Sequence, residues 1–189
     1  MRTVTTSRAP LRLRKKTPAY QTTELWFTIV PPPHICSDVS VLRDDIQYLI
    51  GHGFDGQRSM PVISLFRYKD EYAQDLLDIL EERARGWQPF NVFLKDFGYT
   101  VQGNNNRTIY MDIINRYALT DLVEHLTGES EGIYPYIPLA QNLQPADFLK
   151  CWPYLKGLNY GNQHFPCTDI AVFKRENGKW VKAKTISFT

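Results

Sequence analysis

The sequence predicts an α+β fold in which two pseudo-symmetric lobes of antiparallel sheet, flanked by helices, surround a central cleft. The first reason is an internal repeat: residues 61–65 (PVISL) and 135–139 (PYIPL) each place a proline before alternating variable and aliphatic positions, 74 residues apart. The second reason is that each copy precedes a similar series of elements, in the order helix, strand, strand. We therefore interpret the two copies as equivalent strands.

The remaining elements follow from local periodicity. Apolar residues at helical spacing predict helices, and Gly51 and Gly53 predict the end of the first one. A Gly/Asn-rich turn at 103–107 is expected to join two strands of the first lobe. In chain order we predict a strand at 25–30, helices at about 37–50 and 70–85, strands at 89–94 and 108–113, helices at 118–126 and 145–155, and strands at 168–173 and 180–188.

The two repeated strands are expected to present one buried face and one functional face. Proline is tolerated at the first position of a strand but not inside a central ladder. Alternation then directs four aliphatic residues into the core, namely Ile63, Leu65, Ile137 and Leu139. The opposite face carries Val62, Ser64, Tyr136 and Pro138. We expect Val62 and Tyr136 to face one another across the cleft, with neither strand at the outer edge of its sheet.

Composition favours one globular unit with a basic beginning. The chain has 189 residues, 43% of them hydrophobic, which is enough for one substantial core. Six of its 22 lysines and arginines and none of its 20 acidic residues lie in residues 1–23, so the rest has 16 basic and 20 acidic residues. We predict a basic, flexible tail at 1–23 and a single bilobal domain at 24–189. The tail is compatible with a solvated segment, a nucleic-acid arm or an organellar transit peptide.

Location is inferred from what the sequence lacks. No apolar run approaches the roughly 18 to 20 residues that span a bilayer, so no membrane association is expected. Three cysteines cannot all pair within the chain, which favours a reducing compartment. We predict a cytoplasmic protein, with an organellar location as the alternative if the N-terminus is a transit peptide.

The chain resembles the 2H phosphoesterase superfamily, in its 2′-5′ RNA ligase or cyclic phosphodiesterase-like branch, over roughly residues 24–188. The resemblance rests on residues 25–32 (LWFTIVPP), the two repeated strands, the Pro89-Phe90 pair at the start of a strand, and the order of the elements. The family motif, once per lobe, is a histidine, any residue, and then threonine or serine. It falls here on residues 62–65 (VISL) and 136–139 (YIPL), and only Ser64 is retained.

These replacements remove the proton-transfer groups that the resemblance implies. In the family one histidine activates a water or hydroxyl, the other protonates the leaving oxygen, and the hydroxyl residues hold the phosphate. Imidazole suits this work because its unperturbed pKa is near 6.5. Valine at 62 cannot transfer a proton, and tyrosine at 136, with a reference pKa of about 10, is a poor base. Proline at 138 has no hydroxyl, so we assign no catalytic residue.

Histidines elsewhere do not restore the motif. His34, His52, His125 and His164 each lie outside a strand motif of the required form. A zinc site built from His34, Cys36, His164 and Cys167 has suitable ligand types but no recognised spacing. We therefore predict no metal and no cofactor.

The predicted function is binding rather than catalysis. We expect a non-catalytic, 2H phosphoesterase-like protein that binds a nucleotide, an RNA end or a protein partner in its degenerate cleft, with Arg67, Tyr68 and Gln141 at the rim. One alternative is an RNA 2′,3′-cyclic phosphodiesterase or 2′-5′ RNA ligase-type enzyme that uses non-standard residues. Another is an interaction protein that acts through its basic tail.

Overall fold

The computed structural model describes residues 22–70, 73–129 and 132–188. The predicted basic tail therefore lies outside the described residues, apart from positions 22 and 23. The described elements are eight strands and four α-helices, in chain order: β1 Thr23–Ile29, α1 Pro33–Ile50, β2 Ile63–Asp70, α2 Ala73–Ala84, β3 Phe90–Val101, a short 3-10 turn Gly103–Asn105, β4 Arg107–Ile113, α3 Arg116–Thr127, β5 Ile137–Leu143, α4 Pro145–Gly157, β6 His164–Cys167, β7 Asp169–Glu176 and β8 Lys179–Ser187.

The strands form two antiparallel sheets of four. The first sheet has the order β2-β1-β7-β8 and the second has the order β5-β4-β3-β6. Helix α2 packs on β1, β2 and β8, whereas α1 packs on β5 and α4 packs on β3. The predicted α+β class with two antiparallel sheets and flanking helices is confirmed.

The lobes do not coincide with the sequence repeats. Strands β3 and β4 follow the first repeat but lie with β5 in the second sheet. Strands β7 and β8 follow the second repeat but belong to the first sheet. The predicted turn at 103–107 therefore joins strands of the second sheet, and its assignment to the first lobe is wrong. Each sheet is completed by strands from the other half of the chain, which ties the halves into one unit.

The expected position of the repeated strands within their sheets is also wrong. Both β2 and β5 are end strands, not internal ones. They nevertheless contact each other, so these two sheet ends meet in the middle of the molecule instead of facing outward. Proline has no backbone N–H to donate to a neighbouring strand. An end strand tolerates Pro138, because one edge of such a strand has no neighbour in its sheet.

Buried side chains follow the predicted alternation. Ile63, Leu65, Ile137 and Leu139 all belong to the core. Helix α1 begins at Pro33, earlier than predicted, because a proline in the first turn sacrifices no intrahelical hydrogen bond. It ends where expected: Gly51 takes φ 86°, and its N–H donates to the carbonyl of Gln47.

Within residues 22–70, 73–129 and 132–188, no helix combines the length and apolar character needed to cross a membrane.

Candidate functional site

A cavity of about 690 Å³ lies where the ends of the two sheets meet. Six of the seven site residues expected from the sequence border it, and Tyr68 does not. The described residues that line it are Trp26, Ser59, Met60, Val62, Ser64, Leu65, Arg67, Gly132, Ile133, Tyr134, Tyr136, Pro138, Gln141 and Trp180. We call this cavity the cleft.

A β-bulge decides which rim residues reach the cleft. Phe27 pairs with Phe66 and Thr28 pairs with Ser64, so Leu65 is an extra residue in β2. Beyond the bulge, Phe66 packs on the core side against Phe27, with ring centroids 4.4 Å apart. Arg67 consequently shares the cleft side with Ser64, although three positions separate them. Tyr68 returns to the core side, opposite the buried Leu25.

Ser64 is held in place by an indole. The Nε1–H group of Trp26 donates a hydrogen bond to Ser64 Oγ over 2.8 Å. Because this contact uses an acceptor position of the hydroxyl, the O–H of Ser64 remains available to donate. A hydroxyl oriented in this way suits an anionic oxygen in the cleft.

Arg67 is held between two tryptophans. Its guanidinium lies 5.1 Å from the ring centroid of Trp26 and 5.3 Å from that of Trp180. These are cation–π contacts, which orient the group while leaving its N–H donors free for a ligand. Among the described residues, no carboxylate forms a salt bridge with Arg67.

Tyrosines form the opposite wall. The ring centroids of Tyr136 and Tyr110 are 4.7 Å apart, and Tyr134 contacts both of them. Burial raises the pKa of Tyr136, so its phenol is neutral at physiological pH and is a weak base. The guanidinium of Arg116 lies 4.1 Å from the ring centroid of Tyr134, but Arg116 pairs with Asp112 and is not among the residues that line the cleft.

The other two motif positions are apolar. The Val62 side chain borders the cleft but is only 1% exposed. Pro138 borders it as well, and its carbonyl is occupied by Arg43 Nη2 at 2.7 Å. Neither residue offers a hydroxyl or an imidazole.

Arg43 is a buried cation that supports the base of the cleft. It is 3% exposed, and its Nε donates to the Leu139 carbonyl over 3.2 Å. Its Nη1 donates to the Ser59 carbonyl, and Nη2 also reaches Ser59 Oγ at 3.3 Å. These acceptors are all neutral, so Arg43 joins helix α1, the loop before β2 and strand β5 without a carboxylate partner among the described residues. Burial lowers the pKa of this guanidinium, but arginine stays protonated in proteins.

None of the four histidines lines the cleft. His34 is exposed in the first turn of α1, and His52 pairs with Asp147 at 3.2 Å. His125 stacks on Trp87, and His164 stacks on Phe93. In the part of the chain that the structure describes, no group of three or more His, Cys, Asp or Glu side chains is placed to hold a metal ion.

Sequence reasoning overlooked the aromatic lining. Trp26, Trp180 and Tyr134 border the cleft but were not selected as site residues. The local sequence could have indicated that Trp26 faces the cleft, because it alternates with Leu25 and Phe27 on a strand whose other face is buried. No local pattern indicated the same for Trp180, since the position of β8 beside the cleft depends on the pairing of β7 with β1.

Comparison of the whole structure with solved structures identifies the fold. E. coli LigT complexed with 3′-AMP matches with a TM-score of 0.63, at 15% identity, over 88% of this chain and 97% of that chain. The chain has a LigT-like fold. TT0787 of Thermus thermophilus gives a TM-score of 0.62 at 17% identity, over 87% of this chain and 97% of that one. No protein-family model and no curated protein sequence matches the chain, so the LigT-like fold is recognised from structure.

The Arg43 contacts predict a large loss of stability on substitution. Arg43→Met should lower the free energy of unfolding by about 3 kcal/mol, because carbonyls of Ser59, Pro138 and Leu139 lose their donor. Urea unfolding followed by circular dichroism measures this free energy.

The matched control is Arg85→Met, since Arg85 is exposed and forms an ion pair with the exposed Glu82. This control should change the free energy of unfolding by less than about 0.5 kcal/mol. Equal effects of the two substitutions would contradict the structural role of Arg43.

Proposed function

We propose that the cleft binds a nucleotide or a phosphorylated RNA end without histidine-dependent catalysis. The observation that carries this proposal is that Ser64 and Arg67 lie on the same side of β2 and both present donors to the cleft. Both are donors, both are oriented by Trp26, and both border the same cavity. Guanidinium and hydroxyl donors side by side are suited to a phosphate oxygen.

The charge of the lining supports an anionic ligand. The described residues around the cleft include Arg67 but no aspartate, glutamate or histidine. Arg43 adds a second positive charge beneath Ser59 and Pro138, and its described partners are all neutral. In a partly buried site these charges act at a lower effective dielectric than in water. A phosphate in the cleft would therefore be attracted by two cations and repelled by no anion of the described lining.

The shape and the aromatic lining support a base beside that phosphate. A volume of about 690 Å³ is within the range of small-molecule sites. Trp26 and Trp180 lie on one wall, and Tyr134 and Tyr136 lie on the other. Flat aromatic surfaces of this kind stack on nucleobases with little dependence on base identity.

Solved structures with the same fold support the same ligand class. E. coli LigT has been solved in complex with 3′-AMP, with ATP and with NADP+, at TM-scores of 0.63, 0.54 and 0.53 to this chain. We extend nucleotide binding to this protein because its cleft supplies phosphate donors and stacking surfaces of its own. A protein partner remains the alternative occupant.

Two positions of the cleft support the proposed lack of histidine-dependent catalysis. Val62 is a buried aliphatic residue, and the raised pKa of Tyr136 keeps its phenol protonated. None of the four imidazoles borders the cleft. The rival function, a phosphodiesterase or RNA ligase with non-standard residues, would need Tyr136 as its acid and an unidentified base.

Binding is tested by calorimetric titration with 3′-AMP. We expect saturable binding that Arg67→Gln weakens by about 10- to 100-fold, because hydrogen bonds to charged groups contribute about 1.5 to 3 kcal/mol. Ser64→Ala should weaken it by about fivefold, as expected for a single hydrogen bond of about 1 kcal/mol. Arg85→Gln removes an equal charge far from the cleft and should change nothing. No binding at millimolar 3′-AMP would refute the proposal and favour a protein partner.

Catalysis is tested separately with a 2′,3′-cyclic nucleotide. The unmodified protein should give no hydrolysis above the buffer rate. Val62→His with Tyr136→His should also stay inactive, whereas adding Pro138→Thr supplies the missing hydroxyl and should give measurable turnover, because catalysis requires both proton transfer and a fixed phosphate. Turnover by the unmodified protein that Tyr136→Phe abolishes would instead establish the enzymatic alternative.

A further inference from the structure

The cleft-side face of the first sheet continues beyond the cleft. Trp26 of β1 pairs with Phe173 of β7, and Phe173 pairs in turn with Lys182 of β8. Arg175 of β7 pairs with Trp180 of β8. Directly paired residues lie on the same face of a sheet. We call the following set the aromatic face: Trp26, Arg67, Phe173, Arg175, Trp180 and Lys182.

The other face of this sheet is used for the core. On β8, Lys184 bonds to Glu81 of α2, and Ile186 is buried. A bulge at Ala183 separates these residues from Lys182, so the two lysines point to opposite sides of the strand. Arg175 and Lys182 are exposed on the aromatic face.

Rings and cations alternate on this face. The centroids of Trp26 and Trp180 are 5.3 Å apart, and Arg67 lies over both rings. Arg175 lies 5.7 Å from the centroid of Trp180. A planar guanidinium stacks on a nucleobase as well as on an indole, so this arrangement offers consecutive stacking positions.

The aromatic face is basic, whereas residues 24–189 as a whole carry more acidic than basic residues. Arg67, Arg175 and Lys182 are its cations, and Glu24, which pairs with Arg175 at 3.3 Å, is the carboxylate beside them. Residues 24–189 carry 16 basic and 20 acidic residues, so positive charge is concentrated here against the average. Positive charge concentrated on one face favours an extended polyanion over a neutral partner.

We propose that the aromatic face extends the cleft into a track for single-stranded nucleic acid. The proposal rests on the proposed function, since the nucleotide in the cleft is the first unit of the strand. Unpaired bases stack on Trp180 and Arg67, and backbone phosphates contact Arg175 and Lys182. From β2 to β8 there are three strand spacings of about 4.8 Å each, or about 14 Å. This is the length of about four nucleotides stacked at about 3.4 Å each, the rise of one strand in a duplex.

Length dependence is the first test. Full-length protein is titrated into fluorescein-labelled oligouridylates of two, four, eight and twelve nucleotides, an oligodeoxythymidylate of eight, and a twelve-base-pair duplex, with fluorescence anisotropy as the readout. Affinity should rise at least tenfold from two to about four nucleotides and change little for longer strands.

The duplex should bind more weakly than a single strand, because its bases are not free to stack. Binding of the deoxy strand at equal affinity supports recognition of bases and phosphates, and weaker binding adds a contact to the ribose. Equal affinity for two and eight nucleotides would overturn the proposal.

Charge variants locate the track. Lys182→Gln and Arg175→Gln should each weaken binding of the octamer several-fold and reduce the slope of log affinity against log salt by about 0.7, the value for one phosphate contact on a single strand. Neither should change the affinity for 3′-AMP. Lys184→Gln removes a charge from the opposite side of the same strand and should have no effect. Every variant keeps residues 1–21, so any contribution of that basic segment cancels.

The two proposals fail in different ways. Normal binding of 3′-AMP with no effect of Lys182→Gln on the octamer overturns the track and leaves the cleft intact. Equal weakening by Lys182→Gln and Lys184→Gln also overturns it, because binding is then a diffuse attraction. Octamer binding without any 3′-AMP binding refutes the nucleotide site and, with it, the anchored track.

Discussion

One buried cation links the second repeated strand to the chain that leads into the first. Arg43 projects from α1 and donates to two successive carbonyls of β5 and to Ser59 in the loop before β2. An end strand leaves backbone groups without ladder partners, and burying them unpaired is costly. The guanidinium satisfies several of them at once, since it offers five donors in a fixed plane. Arg43 therefore adds a link from β5 to α1 and to the loop before β2, beside the pairing of β5 with β4.

The wall of the cleft that β1 and β2 form depends on a β-bulge. Strand β2 gains one residue at Leu65, and this bulge moves Arg67 onto the side of Ser64. The Trp26 side chain then serves both residues, as a donor to the hydroxyl and as a surface for the guanidinium. Positions two residues apart would normally share a face, so the bulge is what brings the donors of Ser64 and Arg67, three positions apart, to the same side of the strand.

The sequence was sufficient for features that depend on near neighbours. Alternation correctly buried Ile63, Leu65, Ile137 and Leu139, and Gly51 ended its helix because only a residue tolerant of positive φ continues the chain there. Six of the seven expected cleft residues also came together, because the two repeats occupy equivalent strands.

The remaining features depend on distant partners. Pairing of β1 with β7 joins residues about 150 positions apart, and no local pattern specifies it. The exchange of strands between the two halves, the end positions of β2 and β5, and the placement of Trp180 all follow from such pairings. Tyr68 was misplaced for a smaller reason, since the bulge shifts the alternation by one residue and a single sequence does not reveal a bulge.

The four tryptophans allow the most direct measurement of whether the cleft holds a nucleotide. Trp26 and Trp180 line the cleft, whereas Trp87 stacks on His125 and Trp152 packs with Tyr99 and Phe148, away from it. Indole N–H signals in a nitrogen-15 correlation spectrum, assigned by single Trp→Phe substitutions, report on each ring during titration with 3′-AMP. We expect saturable shifts for Trp26 and Trp180 and none for Trp87 and Trp152. Shifts confined to Trp87 or Trp152, or no shift of any indole at millimolar ligand, would contradict nucleotide binding in the cleft.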